Sequence, residues 1–294
     1  MKTFDYGYQF NFPRGYDPGN TKDADKYYFC EKTFTAYVTI IETCVYHIKG
    51  ALQGKNLILS DWQKDIIAAA FCIKHKETDK RRYSEAFIYV PRKNGKSLFC
   101  SAVVLAYMVL DPEGGKEAVS VASCSDQASL IYTPIRISLL NTKNPLNHST
   151  NTNPDNRFKV LKSPRKIISE NELNTYMPLT ADGDSNHGLN ISLSVMDELH
   201  AWKDVAGRLM YEAIETSGAT REDPINFIIT TADFMRDSMC NSKFLHGQRV
   251  SSGEVDDPTY LPVLYYLEDS DDWENEENWA KVNPQLGISM HLDY

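Results

Sequence analysis

The sequence has little that would indicate a zinc-bound, secreted or membrane protein. Its six cysteines are scattered without any Cys-x-x-Cys pair, which argues against a zinc site and against a disulfide framework in a chain of 294 residues. The opening run MKTFDYGYQFNFPRG has no apolar core like that of a signal peptide. No apolar run reaches the roughly 20 residues that a membrane-spanning helix needs. We therefore expect a cytoplasmic protein that does not contact membranes.

Positive charge is also in short supply. Lys and Arg number 31 against 40 Asp and Glu, so the formal net charge is −9. A general nucleic-acid coat protein would need the opposite balance. Local basic patches remain, and we interpret the one at 74–82 as a solvated loop. The negative net charge also predicts that isolated chains stay monomeric at low salt.

Short apolar segments alternate with helical patterns from about residue 60 onward. This alternation is typical of an α/β protein in which a mainly parallel sheet is flanked by helices. The polar stretch 141–156 predicts a loop, and the short pieces between 157 and 180 predict a hairpin beside the sheet. The predicted strands are 85–90, 117–122, 191–196 and 225–231, and the predicted helices are 31–52, 60–75, 97–110, 125–141 and 203–216.

The strongest local signal is the run VPRKNGKS at positions 90–97. An apolar strand leads into a polar turn and then a helix, an order in which backbone N–H groups and a helix N-terminus face phosphates. Gly95 permits the turn, Lys96 reaches the terminal phosphates, and the Ser97 hydroxyl ligates Mg²⁺. Val90 stands where the P-loop pattern has its first glycine. The run predicts a P-loop NTPase whose nucleotide-binding residues include Arg92, Lys93, Asn94, Gly95, Lys96 and Ser97.

The second motif is ISLSVMDELHAW at 191–202, an apolar strand that ends in two carboxylates. In P-loop ATPases, the first such carboxylate holds the Mg²⁺ shell and the second orients or deprotonates the attacking water. We therefore predict that Asp197 binds the metal and that Glu198 acts in catalysis. Taken alone, the pair could equally cap the next helix.

Three further residue types near these motifs allow weaker predictions. The strand INFIITTADF at 225–234 ends in Thr230 and Thr231, whose hydroxyls could sense the γ-phosphate, although a buried β-branched strand would look the same. Gln63 is a candidate for reading the adenine edge, with Trp62 or a neighbour stacking on the base. We interpret His200 as structural because it lacks metal-ligand spacing with another His or Cys.

Taken together, several runs resemble the large terminase subunit of tailed bacteriophages. They are LSDWQKDIIAA, EAFIYVPRKNGKS, SVMDELHAW, IITTAD and WAKVNPQLG, which cover roughly 58–290 in the order of the family. The resemblance implies a RecA-like ATPase that uses ATP and Mg²⁺ to drive double-stranded DNA into a procapsid. It also implies assembly into a homo-oligomeric ring, the portal protein and the small terminase subunit as partners, and the host cytoplasm as the location.

The resemblance also implies a division of the chain. We expect an N-terminal arm and helix at 1–55, the P-loop ATPase core at 56–250, and a lid or linker subdomain at 251–294. In the family, an RNase-H-like nuclease domain follows the Trp-Ala-x-x-Asn-Pro run, and this sequence stops at Tyr294, shortly after it. We therefore expect ATPase activity without nuclease activity.

Two departures from the family pattern affect the expected site. Asp233 stands where the family often has glycine after Thr-Thr-Ala, and the run DGDSNHGLN at 182–190 lacks the arginine that some relatives use as a trans-acting finger. We therefore consider Arg208 and Arg221 as candidates for that finger. Two other functions stay open: a non-hydrolysing scaffold that docks on the portal or DNA, and a helicase-like translocase.

Overall fold

The computed structural model of the chain describes residues 4–147, 158–169, 173–180, 188–202, 205–234 and 237–290. Most of the predicted loop at 141–156 and most of the run at 182–190 lie outside the described residues. The helices are α1 (Glu31–Cys44), α2 (Asp61–Cys72), α3 (Lys96–Leu110), α4 (Ser125–Leu140), α5 (Val205–Ser217), α6 (Met239–Ser251) and α7 (Glu276–Val282). The strands are β1 (Tyr27–Phe29), β2 (Ile73–His75), β3 (Glu85–Tyr89), β4 (Glu117–Ala122), β5 (Lys159–Lys162), β6 (Arg165–Ser169), β7 (Asn174–Thr180), β8 (Leu193–Asp197), β9 (Ile225–Thr230) and β10 (Tyr260–Leu264).

The main sheet of the described part has the strand order β10-β3-β9-β8-β4-β7-β6-β5. Neighbours from β10 to β7 are parallel, whereas β6 pairs antiparallel with both β7 and β5. Parallel strands need cover on both faces, and the central strand β8 is accordingly buried at every position. The predicted α/β class with a mainly parallel sheet is confirmed. The predicted hairpin is present, but its strands β5 and β6 belong to the sheet itself and do not leave it.

Helices α2 and α3 supply the part of the core that holds the start of α3 against the sheet. Their aromatic rings contact each other and β9, with ring centroids 5.6 Å apart for Trp62 and Phe99 and 6.1 Å apart for Phe99 and Phe227 of β9. All three side chains are buried. Because α3 begins at the predicted P-loop, this packing sets the position of that loop relative to the strand ends.

Two predicted helices are shorter in the structure, for tertiary reasons. The helix expected at 31–52 ends at Cys44, where the Asn144 amide donates a 2.8 Å hydrogen bond to the Cys44 carbonyl. The helix expected at 60–75 ends at Cys72, because the next three residues pair with β1 as β2. Among the described residues, no helix is long and apolar enough to cross a bilayer.

The basic segment 74–82 is only partly a solvated loop. The side chains of Arg81 and Arg82 are 5% and 0% exposed. Arg82 donates a 2.7 Å hydrogen bond to the Pro18 carbonyl and so ties the N-terminal arm to the core. Arg81 forms ion pairs with Asp111 and Asp223. The interpretation of this segment as solvated is therefore wrong for these two arginines, whose partners lie far away in the sequence.

The main sheet extends past position 250. β10 pairs in parallel with β3, with Tyr260 beside Glu85 and Leu264 beside Tyr89. The predicted boundary of the core at 250 therefore falls before the last strand of the sheet. A short apolar stretch such as this one does not reveal by itself which strand it will join, because its partner is distant in sequence. The assignment of the residues beyond β10 as a lid or linker stays a prediction.

Candidate functional site

The hydrogen bonding between β3 and β9 continues for one residue past the end of β3. The Val90 N–H donates a 3.0 Å hydrogen bond to the Thr230 carbonyl, and the Val90 side chain is fully buried. Val90 thus continues the strand and fills the core. A valine is tolerated at the first glycine position of the P-loop pattern because its side chain packs in the core and its N–H is bonded to β9.

The turn itself follows immediately. Lys93 and Gly95 both have left-handed backbone angles, with φ of 71° and 75°, and Gly95 is the N-cap of α3. A left-handed conformation is easy for glycine and costs energy for lysine. Arg92 and Lys93 are exposed. The turn therefore places two exposed cations next to the start of α3, where the first N–H groups have no partner within the helix, and this is a suitable environment for phosphates.

Asn94 lies at the centre of the turn and faces inward. Its side chain is fully buried, and its amide nitrogen donates to the Pro91 carbonyl at 3.1 Å and to Asn283 Oδ1 at 3.2 Å. Its Oδ1 accepts a 3.0 Å bond from the Gln285 N–H, and the Gln285 amide in turn donates to Ser60 Oγ at 2.8 Å. We call these four residues (Asn94, Asn283, Gln285 and Ser60) the Asn94 cluster. The Asn94 side chain therefore shapes the loop, and its role toward nucleotide would be indirect.

Lys96 joins the P-loop to the carboxylates at the end of β8. Its side chain is 6% exposed, and its Nζ lies 3.5 Å from Glu198 Oε1. The same ammonium donates weakly to the Val90 carbonyl at 3.4 Å and to the Pro91 carbonyl at 3.5 Å. These contacts are long, so an incoming phosphate could replace them with shorter, charge-assisted ones. Ser97 follows in the first turn of α3 and is half-buried.

Asp197 ends β8 at the same edge of the sheet. It is 2% exposed, and its Oδ1 is buried without a hydrogen-bond partner in the described part of the chain. Burial, reinforced by the neighbouring charge of Glu198, raises the pKa of the Asp197 carboxyl to about 7. A buried carboxylate oxygen without a partner is costly. This oxygen therefore fits a hard cation such as Mg²⁺, which prefers oxygen ligands.

Glu198 is held in a conformation that few glutamates adopt. Its φ is 53°, and its N–H donates a 2.9 Å hydrogen bond to the Ile229 carbonyl of β9. Strain of this kind persists where the surrounding structure enforces it, often at functional sites. Burial alone would raise the pKa of Glu198, but His200 and Lys96 together hold it below its usual value. The carboxylate is thus kept ionised, as a base toward water must be.

His200 connects Glu198 to the end of β9. Its Nδ1 lies 3.1 Å from Glu198 Oε2 and 3.3 Å from Thr230 Oγ1. The contact to Thr230 has hydrogen-bond geometry, whereas Glu198 Oε2 is close to the ring nitrogen without a well-aligned hydrogen bond. The backbone N–H of His200 also donates a hydrogen bond to Thr230 Oγ1 at 3.2 Å. His200 was interpreted as structural from the sequence, and its position three residues after Asp197 was the signal that could have indicated a role in the site.

The two predicted threonines differ in their surroundings. The Thr230 hydroxyl is fully buried and is linked to His200. Thr231 is 6% exposed at the end of the strand. Both lie at the sheet edge that holds Asp197, because Asp197 pairs with Ile229. The structure therefore brings the two threonines to the candidate site, with Thr230 as the one in contact with it.

The pair predicted to recognise adenine is arranged differently from the expectation. Gln63 is buried, and its Oε1 accepts a 3.0 Å hydrogen bond from the Ser60 N–H in a capping box. Trp62 packs inside the core against Phe99 and Tyr265, so it is not available to stack on a base. The start of α2 is nonetheless close to the P-loop, because Ser60 belongs to the Asn94 cluster.

The two arginine candidates lie in very different places. Arg221 precedes β9 and is therefore at the sheet edge opposite the P-loop. Its guanidinium donates to Glu113 at 3.0 Å and to the carbonyls of Asn190 and Gly115. Arg208 is exposed on α5, the helix that follows the carboxylates. The structure does not bring Arg221 to the site, and it leaves Arg208 able to reach outward.

Comparisons with known proteins identify the family of this chain. The profile of the family described as "Terminase large subunit, ATPase domain" matches residues 61–247. The terminase large subunit of Enterobacteria phage HK97 is 25% identical over 241 residues, which is 81% of this chain and 44% of that protein. The terminase large subunit of Lactococcus phage p2 is 24% identical over 266 residues, or 90% of this chain and 47% of that protein.

A solved structure gives the same result for the fold. The crystal structure of the HK97 bacteriophage large terminase superposes with a TM-score of 0.69 and 22% sequence identity, and covers 88% of this chain and 49% of that chain. The chain spans about half the length of the curated relatives it matches.

Proposed function

The chain belongs to the terminase large subunit family through its ATPase domain, and we propose that it hydrolyses ATP to drive double-stranded DNA into a viral procapsid. The observation that supports this most directly is the 3.5 Å approach of Lys96 Nζ to Glu198 Oε1. It joins a phosphate-binding turn to a candidate catalytic carboxylate at one edge of the sheet. Hydrolysis needs both groups at the same phosphate.

The P-loop residues would bind the nucleotide. The free N–H groups at the start of α3 face the phosphates, and Lys96 exchanges its weak carbonyl contacts for a phosphate oxygen. The exposed cations Arg92 and Lys93 add positive charge beside the γ-phosphate. Gly95 keeps the turn open to backbone approach, since it has no side chain. Gln63 stays a candidate for the base only if the capping box opens.

Asp197 and Ser97 would hold Mg²⁺, which neutralises charge on the phosphates when bound. The unpartnered Oδ1 of Asp197 is the feature that favours this assignment. Glu198 would orient the attacking water as a general base, and its lowered pKa keeps the carboxylate ionised for that role. His200 would keep the Glu198 carboxylate in place and pass changes at the γ-phosphate to Thr230.

The proposed partners follow from the family. They are double-stranded DNA, a portal protein and a small terminase subunit, all in the cytoplasm of the bacterial host. We also propose that chains assemble into a ring in which one subunit donates an arginine to the next. Arg208 suits that role better than Arg221, because Arg208 is exposed and Arg221 is already paired with Glu113.

A phosphate-release assay tests the proposal. The wild-type chain should release phosphate from ATP with Mg²⁺ and stop when EDTA removes the metal. Lys96→Ala should abolish both nucleotide binding and turnover, whereas the control Lys49→Ala, in the exposed loop after α1, should retain them. Tight ATP binding by the wild type without any phosphate release, alone or with DNA, would instead indicate a non-hydrolysing scaffold.

A further inference from the structure

The hairpin formed by β5 and β6 differs in charge from the rest of the chain. Residues 158–169 contain four basic residues and no acidic one, in a protein with 31 basic and 40 acidic residues. The four are Lys159, Lys162, Arg165 and Lys166. The whole turn from Lys162 to Arg165 is exposed. A concentration of positive charge on an acidic protein indicates a surface that meets an anionic partner.

The charges at the tip of this hairpin are not neutralised by the described residues. Among the described residues, no carboxylate oxygen lies within 4 Å of a side-chain nitrogen of Lys162, Arg165 or Lys166. Arg165 instead donates to the Ser125 Oγ at 2.9 Å and to the Ser125 carbonyl at 3.3 Å. Both acceptors are neutral groups, so these contacts do not neutralise the guanidinium.

The hairpin is also firmly attached. On the β5 side, the Tyr132 hydroxyl of α4 donates to the Leu161 carbonyl, and on the β6 side Arg165 is bonded to Ser125 at the start of the same helix. The two strands pair in register, with Lys162 beside Arg165. A rigid support of this kind presents the tip in one place, which lowers the entropic cost of binding.

The tip lies at the sheet edge that carries the candidate ATPase site. Ile167 of β6 is beside Tyr176 of β7, which is level with Ala118 of β4 and so with Leu193 of β8. Because β6 runs opposite to β7, its first residues point toward the edge at which β8 ends in Asp197. Three strand spacings separate β6 from β8, so the tip lies about 14 Å across the sheet from that strand.

We propose that the tip of the β5–β6 hairpin, through Lys162, Arg165 and Lys166, contacts the phosphate backbone of double-stranded DNA. This inference rests on the proposed function and names a DNA-contacting element for it. Duplex DNA carries one negative charge per about 1.7 Å of its axis, so a cluster of cations meets several phosphates at once. Contacts to phosphates carry no sequence information, which suits a motor that must move every sequence. The net charge of −9 makes acidic parts of the surface unfavourable for the duplex, so binding favours a basic element such as this one.

Duplex binding tests the inference without using ATP. The anisotropy of a fluorescent 30-bp duplex is titrated with wild type, with Lys162→Glu/Arg165→Glu and with Lys49→Glu/Lys55→Glu, at several salt concentrations. The control lysines are exposed and lie in the loop that packs on the far end of α4, where the Tyr46 N–H bonds to Ser138. We expect the hairpin variant to bind about tenfold or more weakly, and its slope of log affinity against log salt to fall by about 2. The control should bind within about twofold of its parent.

Two further arms keep the outcome clear. The charge-preserving variant Lys162→Arg/Arg165→Lys should bind like wild type, and it separates a charge effect from damage to the hairpin. Basal ATPase activity should be the same in all variants. Equal weakening in the control pair, unchanged binding in the hairpin variant, or a wild type that does not bind duplex would overturn the inference. So would tighter binding of polyglutamate than of duplex, which would indicate an acidic protein partner. A wild type that binds duplex at the hairpin but hydrolyses no ATP would contradict only the proposed function.

Discussion

The Asn94 side chain donates a 3.2 Å hydrogen bond to Asn283 Oδ1, although the two residues are 189 positions apart in sequence. The next contact of the Asn94 cluster, from the Gln285 N–H to Asn94 Oδ1, is 3.0 Å long. Asn94 and Gln285 are buried, and Asn283 is half-buried. The inner side of the P-loop is thus held by a turn that follows α7, and residues far beyond the P-loop help to set its shape.

We predict that Asn283→Ala weakens nucleotide binding by roughly fivefold, because one buried hydrogen bond is worth about 1 kcal/mol. The turnover of bound ATP should change less, since no group that acts on water is removed. Asn275→Ala is the matched control, because Asn275 caps α7 without touching the P-loop. Calorimetric titration with a slowly hydrolysed ATP analogue measures the difference. Equal weakening by both substitutions would mean that only the stability of α7 matters.

Glu198→Gln should retain ATP binding and lose hydrolysis by a factor of about 10² to 10⁴, the usual contribution of a general base. The substitution keeps the size of the side chain and removes its charge, so the 3.5 Å neighbour Lys96 stays free to bind phosphate. Binding is followed by a fluorescent nucleotide and turnover by phosphate release. If affinity and turnover fell together, Glu198 would act in binding.

His200→Ala should lower kcat with little change in nucleotide affinity, because His200 touches Glu198 and Thr230 and not the P-loop. Thr230→Val removes the other end of the same link. If the two residues act through each other, the double substitution should cost no more than the larger single one. Additive losses in kcat would show that they act independently.

Arg208→Ala and Arg221→Ala should fail in different ways. Arg221→Ala should lower the melting temperature, because it leaves Glu113 and two carbonyls without their buried donor. Arg208→Ala should melt at the same temperature as wild type. Its ATP turnover should fall below that of wild type only when the chains are assembled. A mixture of Arg208→Ala with Glu198→Gln subunits should regain activity, because one kind can hydrolyse and the other can donate an arginine. A mixture as inactive as its components would remove Arg208 from consideration.

Several features could be predicted from the sequence because they depend on neighbouring residues. The alternation of apolar strands and helices identified β3, α3, β4, α4, β8 and β9 close to their observed bounds. The order strand, polar turn, Gly-Lys-Ser predicted the turn before α3, and the strand ending in Asp197 and Glu198 predicted the second half of the candidate site. Lys96 and Glu198 do lie together, since parallel strands bring their carboxyl ends to one edge.

Other features depended on pairs of residues that only the folded chain brings together. The burial of Val90 depends on the Thr230 carbonyl, the inward orientation of Asn94 on Asn283, and the pairing of Arg221 on Glu113. The hydrogen bond to Thr230 places His200 in the site, and pairing with β3 places β10 in the sheet. A local pattern determines which residues can form a strand, a turn or a charged cluster. Which distant group satisfies a buried hydrogen bond or charge is decided by tertiary packing alone, because the cost of leaving that group unpaired appears only when water is excluded.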